Sequence, residues 1–483
     1  MILKNLLKGI DFEVIKGNSE IEINNICYDN RKVSSGDVFV CIKGFVSDGH
    51  KYIDGAIKNG ATSIIVEELV EIDAEVNVIK VKDSRKALAI MGANYYNNPA
   101  NKLNIIGITG TNGKTTTAFM IKSILEQAGH KVGLIGTIAN YIGNKPIKTE
   151  RTTPESLELQ KLFYDMVNEE VKYCVMEVSS HSLELDRVYG VQFESAIFTN
   201  LTRDHLDFHK TFENYYKAKF KLFERTCTKI INIDDEYGIR VLNDLKQQKA
   251  SDIYTIATNK ISDFTAKEIK TTEKGSEFKI VLNNVQSEFK VNIPGLYNVY
   301  NSLGAIISCY KMGISIEAIK SGLERSIVPG RCERVATDLN LPYEIIIDYA
   351  HSPDGLENII NTVRACTKNR VITVFGCGGD RDTVKRPIMG KIASDLSDIA
   401  IVTSDNPRSE EPIAIINDIL KGIEKKNCEV IENRYMAIEH ALDIAKNGDV
   451  ILIAGKGHET YQILNTGTIH FDEREVVYEI LNK

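Results

Sequence analysis

Short apolar runs, most of them ending in a polar or glycine-rich turn, recur along almost the whole chain. Over residues 38–83 the runs VFVCIKG, TSIIVEE and VNVIKVKD alternate with polar, helix-compatible stretches, and YYNNPANK then gives a loop signal that sets a first boundary near Pro99. From Leu103 the runs NIIGITG, KVGLIGT, YCVMEVS, ESAIFTN, KIINID and DIYTIAT recur with helical stretches between them, which predicts a mostly parallel sheet. The alternating EFKIVL and EFKVNIP predict an antiparallel excursion, followed by a helix over residues 298–311. A second boundary falls at VPGR, residues 328–331, and beyond it EIIIDYAH, VITVFGCGG, IAIVTSDN and DVILIAGKG predict four further strands. The expectation is an α/β protein of three domains, residues 1–98, 99–329 and 330–483.

Those last four strands end in Asp348 and His351, in residues 376–381, in residues 405–408, and in residues 455–459. Ligands of open α/β sheets bind outside the carboxyl ends of the strands, so four such turns on one edge predict a polar pocket. Taken singly, each turn is equally well explained by turn geometry.

Composition narrows the function. The 483 residues are 43% hydrophobic and 26% charged, ordinary for a globular protein and too many for one core. With 59 basic and 66 acidic residues the net charge is -7, which argues against a broad nucleic-acid surface; any polyanion handled is small. No apolar run approaches the ~20 residues of a membrane span, and MILKNLLKGIDFEVI turns acidic before a signal-peptide core forms. The nine cysteines are scattered without a CxxC pair, the pattern of reduced thiols in a cytoplasmic protein.

The chemistry is densest in GITGTNGKTTT, residues 107–117. It follows a strand and opens a helix, so backbone N–H groups and the helix dipole can cradle phosphates, with Lys114 reaching the β and γ phosphates and the Thr115 hydroxyl on Mg²⁺. The spacing departs from G-x-x-x-x-G-K-[ST], since Ile108 stands where the first glycine belongs. Glu177 ends the strand YCVME, and TRDHLDFH puts Asp204, His205, Asp207 and His209 in one short turn. His205 and His209 have the spacing of a zinc pair, but no third ligand stands out. Beside a phosphate loop, a carboxylate and an imidazole at strand ends fit Mg²⁺ better; helix capping is the plainer alternative.

GTNGKTT, TTPES, MEVSSHSLELDR, TNLTRDHLDFH, YNVYNSLGA, PGRCE, IDYAHSPD, GCGGDRD, SDNPRSEEP and AGKGHETYQ occur in this order, and together they resemble the Mur ligase family. Within it they look most like members that add meso-diaminopimelate to UDP-N-acetylmuramoyl-L-alanyl-D-glutamate in peptidoglycan synthesis. The resemblance implies three domains: a UDP-binding α/β domain (1–98), a central phosphate-loop domain with a parallel sheet that binds ATP (99–329), and a Rossmann-like domain that binds the amino acid (330–483). It implies that ATP phosphorylates the γ-carboxylate of D-glutamate and that an amine attacks the acyl phosphate, giving an amide, ADP and phosphate.

By the same resemblance Lys114 and the stretch Gly110, Thr111, Asn112, Gly113, Thr115 and Thr116 hold ATP, with Asn301 near the adenine and Arg331 and Asp348 on the nucleotide side of the third domain. Thr115 and Glu177 hold a first magnesium, and His205 and Glu177 hold a second with Lys219, which matches a lysine that the family carries as a carbamate; Lys217 and Lys221 are neighbours that the sequence alone does not separate from it. Asn30, Thr152, Thr153, Ser179 and Arg187 fall on UDP-sugar-dipeptide positions. Asn30 stands where the family usually has serine, and Leu185 where it often has glutamine. Arg381, Asp405, Asn406, Pro407, Arg408, Gly455 and Glu459 fall on the diaminopimelate site, where the guanidinium of Arg408 can meet a carboxylate through two parallel hydrogen bonds. The alternative for Arg408 is a surface pair with Glu410 or Glu411. Rival functions are a phosphate-loop switch or motor, a folylpolyglutamate synthetase, and a lysine-adding Mur ligase.

Overall fold

The computed structural model describes residues 1–44, 47–272 and 274–483. Cα proximity divides the chain into two compact units, Met1–Gly107 with His130–Ala196 and Ala218–Cys227, and Ile108–Gly129 with Ile197–Lys217 and Thr228–Lys483.

The first unit holds a five-stranded sheet in the order Phe12–Lys16, Asn77–Val81, Ser63–Val66, Val38–Val40, Ile26–Cys27. The Phe12–Lys16 strand pairs antiparallel and the rest run parallel. Ser63–Val66 reads as a continuous apolar run because both faces are covered. Ile65 packs with Leu3, Leu6, Leu88 and Met91, while Ile64 and Val66 pack with Phe39, Ile53 and Val78. The helix Ser84–Tyr95 starts where the Asp83 carboxylate accepts from the backbone N–H groups of Arg85 and Lys86. Elsewhere in this unit Tyr173–Glu177 pairs in parallel with Val132–Ile135, to which Asn140–Ile142 and Lys145–Ile147 add an antiparallel hairpin.

In the second unit Ile253–Ala257 pairs in parallel with the strand that ends at Asn232. Lys267–Thr272, Gly275–Leu282 and Val285–Val291 form the antiparallel excursion, one strand larger than its sequence pattern predicted. The helix Leu296–Lys311 follows, two residues longer at its start than expected.

A six-stranded sheet in the same unit has the order Glu333–Val335, Glu344–Asp348, Val450–Ala454, Val371–Phe375, Ile399–Val402, Cys428–Val430, parallel apart from the first strand. Helices cover both faces: Pro353–Cys366, Lys385–Leu396 and Pro412–Leu420 pack on one, Arg434–Ile444 and Glu473–Leu481 on the other. This doubly wound arrangement brings all four predicted strand ends to one edge. Beneath that edge Arg434 and Glu473 form a fully buried ion pair at 2.6 Å. Arg434 also donates to the carbonyls of Ser404 (3.3 Å) and Ala454 (2.8 Å), fixing two of the four turns from below.

Candidate active site

In the second unit the helix Lys114–Gln127 opens directly from the loop at Gly113. Gly110 has φ 153° and Gly113 φ 88°, and a Cβ on either would lie 1.8 Å from Thr199 Oγ1 or 2.3 Å from Asn301 Oδ1, so both positions require glycine. The loop is braced from outside. Asn112 N donates to Asn200 Oδ1 (2.9 Å), its carbonyl accepts from Thr199 Oγ1 (2.6 Å), and its Nδ2 donates to Asp354 Oδ2 (2.6 Å). Thr111 Oγ1 donates to the Thr202 carbonyl at 3.2 Å. Lys114 Nζ donates to the carbonyls of Gly110 (2.9 Å) and Thr111 (2.8 Å), which keeps its ammonium at the loop.

One cleft is lined by Asn112, Gly113, Thr116, Asn301, Arg331 and Asp348, six of the residues expected on the nucleotide. Asn301 packs against Gly113 and donates to Asn298 Oδ1 at 3.1 Å. Arg331 lies 4.7 Å over the Tyr349 ring and reaches Thr115 Oγ1 at 3.4 Å. Asp348 accepts from the backbone N–H of Cys332 (2.7 Å) and Ala350 (2.8 Å); burial pushes its carboxyl up, with Arg331 opposing. Burial also pushes His351 down to about 4 and His458 to about 3, so both rings are neutral at pH 7 and the positive charge beside them rests with Arg331, Lys385, Arg474 and Lys456.

His205 sits at φ 53° with Nε2 3.3 Å from Asp204 Oδ2. Burial pushes the Asp204 carboxyl up, but His205, His351 and Lys385 outweigh it and hold the group below the usual range. His209 is buried with its ring 5.0 Å from that of Tyr215, a packing position. Among the described residues no three His, Cys, Asp or Glu side chains are grouped to hold a metal.

In the first unit Glu177 is buried, and its two carboxylate oxygens accept from Thr137 N (2.9 Å) and Thr137 Oγ1 (3.0 Å). Thr137 Oγ1 also lies 3.0 Å from Thr152 Oγ1. Thr153 Oγ1 donates to the Glu177 carbonyl (2.8 Å) and accepts from Ser179 N (3.1 Å), while Ser179 Oγ caps the helix Ser180–Glu184. Arg187 donates to the Thr153 carbonyl (3.1 Å) and pairs with Glu155 (3.2 Å), which also meets Arg151 (3.3 Å) and Arg85 (3.7 Å). One carboxylate among three guanidiniums leaves an excess of positive charge, suited to an anionic substrate. Thr152, Thr153, Ser179 and Arg187 are thus gathered around Glu177 and Glu155. Asn30 lies apart from this network in the short helix Asn30–Lys32, its amide against Gly55.

Lys219 is 2% exposed. Its neighbours in sequence face solvent: the side chain of Lys217 is 67% exposed and pairs with Glu213, and that of Lys221 is 42% exposed and pairs with Glu184. Burial therefore separates the three lysines that the sequence leaves equivalent.

At the edge of the six-stranded sheet Arg408 adopts φ 55°, and its Nη1 donates to the Gly379 carbonyl at 2.7 Å. Its Nε and Nη2 have no hydrogen-bond partner among the described residues. Burial, then the nearby Arg381, lowers its affinity for a proton. Asn406 donates to Glu459 Oε2 (2.8 Å) and accepts from Ile463 N (2.9 Å) and Lys456 Nζ (3.2 Å). Lys456 is fully buried, 3.1 Å from Glu459 and 3.9 Å from Asp405. Gly455 has φ 123°, where a Cβ would lie 2.7 Å from Asp405 Oδ2. Pro407 precedes Arg408 in the turn, and Arg381 is exposed, donating to the Asp380 carbonyl at 3.0 Å. The surface pair expected as the alternative for Arg408 does not form with Glu410, whose carboxylate is bound to Arg386 at 2.8 Å.

Sequence reasoning passed over Thr137, Glu155, Asp354, Arg386 and Lys456. Thr137, Glu155, Asp354 and Lys456 stand inside or beside blocks already singled out, and a polar residue closing a strand was the available signal for Thr137. Nothing local marks Arg386, whose partners lie 24 and 32 residues away.

Residues 22–96 match the domain described as Mur ligase family, catalytic domain, residues 108–309 the Mur ligase middle domain, and residues 330–457 the Mur ligase, glutamate ligase domain. The UDP-N-acetylmuramoyl-L-alanyl-D-glutamate--2,6-diaminopimelate ligase of Clostridium perfringens is 64% identical over 482 residues, covering 100% of this chain and 99% of its own. The ligase of the same name from Clostridium botulinum is 58% identical over 487 residues, covering 100% of both chains. A solved structure of a ligase of that name has 29% identity and a TM-score of 0.71, covering 100% of this chain and 99% of its own. With matching domains in the order of the ten sequence blocks and near-complete coverage by these relatives, the chain belongs to the Mur ligase family.

Proposed function

We propose that the chain joins meso-diaminopimelate to the D-glutamate γ-carboxyl of UDP-N-acetylmuramoyl-L-alanyl-D-glutamate, using ATP and releasing ADP and phosphate, in peptidoglycan synthesis. The observation that carries this reading is the half-buried Arg408 fork beside Asn406 and Glu459, in a chain whose full-length relatives bear that ligase's name.

A carboxylate is a poor electrophile, and phosphorylation supplies its leaving group; the protein positions the reactants and neutralises crowded anions. Lys114 and the loop's N–H groups bind the phosphates, Arg331 offers a second cation, and the Arg187 cluster receives the anionic dipeptide. Thr115, Glu177, His205 and Lys219 are the groups we assign to magnesium. Thr115 is 3% exposed in the second unit, and Glu177 and Lys219 are 1% and 2% exposed in the first. The ion when bound offsets phosphate charge. We retain the functional domains 1–98, 99–329 and 330–483, a division supported by the spans of the matching domains. No helix among the described residues is long and apolar enough to cross a membrane, and we place the reaction in the cytoplasm, where its nucleotide substrates are found.

The test is sustained ADP release with one component omitted at a time. Release is expected only when ATP, the UDP-sugar-dipeptide and diaminopimelate are all present; steady turnover without an amine would instead indicate a switch or motor. In the same assay Lys114→Ala is expected to lower turnover on the order of 10²-fold with an unchanged far-UV spectrum, because this lysine meets developing charge and packs no core. Near-normal turnover by a folded Lys114→Ala protein would remove the phosphate loop from the reaction.

A further inference from the structure

Two of the turns at the sheet edge are sewn together. Gly379 N donates to the Asn406 carbonyl (2.9 Å), Arg408 Nη1 to the Gly379 carbonyl (2.7 Å), Asp380 N to Glu410 Oε1 (2.6 Å), and Ser409 Oγ to Asp380 Oδ1 (2.6 Å). The seam puts a competing anion next to the Arg408 fork. A Cβ built on Gly379 would lie 3.3 Å from Glu410 Cβ, and one on Gly378 would lie 2.9 Å from Arg408 Nη1, so both side chains lie against the same two-glycine stretch. A Glu410–Arg408 pair would occupy the N–H groups that a ligand carboxylate needs.

That pair does not form: Glu410 Oε1 accepts from Asp380 N in the seam and is also held from beneath the loop. Arg386, on the helix Lys385–Leu396, is 1% exposed; its Nη2 donates to Glu410 Oε1 at 2.8 Å and its Nη1 to Asp418 Oδ2 at 2.9 Å. A planar guanidinium bonded to two carboxylates at once has a fixed direction that a lysine cannot reproduce. The pull is reciprocal, since Arg386 holds the Glu410 carboxyl below its usual range.

We propose that Arg386 is a positioning residue for amino-acid selection, a latch that turns Glu410 away and leaves the Arg408 fork open to the distal carboxylate of the incoming amino acid. This rests on the reading of Arg408 given above.

The test is a set of KM values for diaminopimelate and ATP on the full-length protein. Arg386→Met is expected to raise the KM for diaminopimelate at least tenfold with the KM for ATP within twofold, since the freed Glu410 then pairs with Arg408. Adding Glu410→Gln, which removes the competing charge, is expected to bring the diaminopimelate KM back to within threefold of wild type. Arg386→Lys keeps the buried charge and covers the case in which the methionine variant does not fold: a three- to tenfold rise is expected, again reversed by Glu410→Gln. A diaminopimelate KM unchanged by losing Arg386, a rise that Glu410→Gln does not reverse, or a parallel rise in both KM values would overturn the latch. Arg408→Ala in the same series separates the two ideas. If it leaves the diaminopimelate KM unaltered, the reading of Arg408 fails and the latch with it; if it raises that KM while the rescue fails, only the latch falls.

Discussion

With ATP and the UDP-sugar-dipeptide saturating, kcat/KM for meso-diaminopimelate is expected to exceed that for L-lysine by about 10⁴. The two amino acids differ at the far end of the side chain, where diaminopimelate carries a second carboxylate and ammonium. On the proposed reading of Arg408, the turn offers groups of both signs for that end: a guanidinium with uncommitted N–H groups at Arg408, and acceptors at Glu459 and the Asn406 turn. Lysine brings no distal carboxylate, so binding it would leave the half-buried guanidinium desolvated without a partner, and the discrimination comes from that unpaired group more than from lost contact area. Arg408→Ala is expected to raise the KM for diaminopimelate sharply and to leave the KM for ATP almost unchanged. Equal use of lysine by the wild-type protein, or unaltered amino-acid kinetics in Arg408→Ala, would show that Arg408 serves another purpose.

Lys219→Ala is expected to lower turnover on the order of 10³-fold, and short carboxylic acids such as acetate are expected to restore part of it. A carbamate forms only on a neutral amine, and burial disfavours the charged ammonium. Lys219 has that environment and its neighbours do not: Lys217 and Lys221 extend into solvent and pair with glutamates. As a control of the same chemistry, Lys217→Ala should keep near-wild-type turnover. Full activity in Lys219→Ala, or native mass spectra of the active protein showing an unmodified amine at this position, would defeat the assignment.

The strands were legible in the sequence because most of them are buried on both faces. SIIV, IIID and ILIA each carry three or more consecutive apolar residues for the same reason that Ile64 and Ile65 pack into different clusters. Exposed or very short strands escaped: Phe12–Lys16 exposes its three central residues, Glu13, Val14 and Ile15, and Ile26–Cys27 has two residues. The strand ends bearing Asp348, Arg381, Arg408 and Glu459 were readable as polar breaks after such runs. The sequence could not say which of these groups is spent on another. Glu410 looked like the natural partner for Arg408 two residues away, yet it is taken by an arginine 24 residues earlier. Asn112 looked like a loop residue for phosphate, and its side chain bridges to Asp354, 242 residues on. Local pattern reports which chemical groups a turn carries; pairing is decided by tertiary proximity, which that pattern does not encode.

The left-handed backbone of Arg408 sets two demands on one position against each other. A long L side chain at φ 55° costs about 1 kcal/mol relative to a residue that visits this region freely, and glycine or asparagine would relieve it. Selection for thermal tolerance alone would therefore drift toward glycine at position 408, while selection for cell-wall growth would hold arginine in place. A library screened first for heat resistance and then for ligation should part company at this residue, with the hardiest sequences among the least able to choose their amino acid.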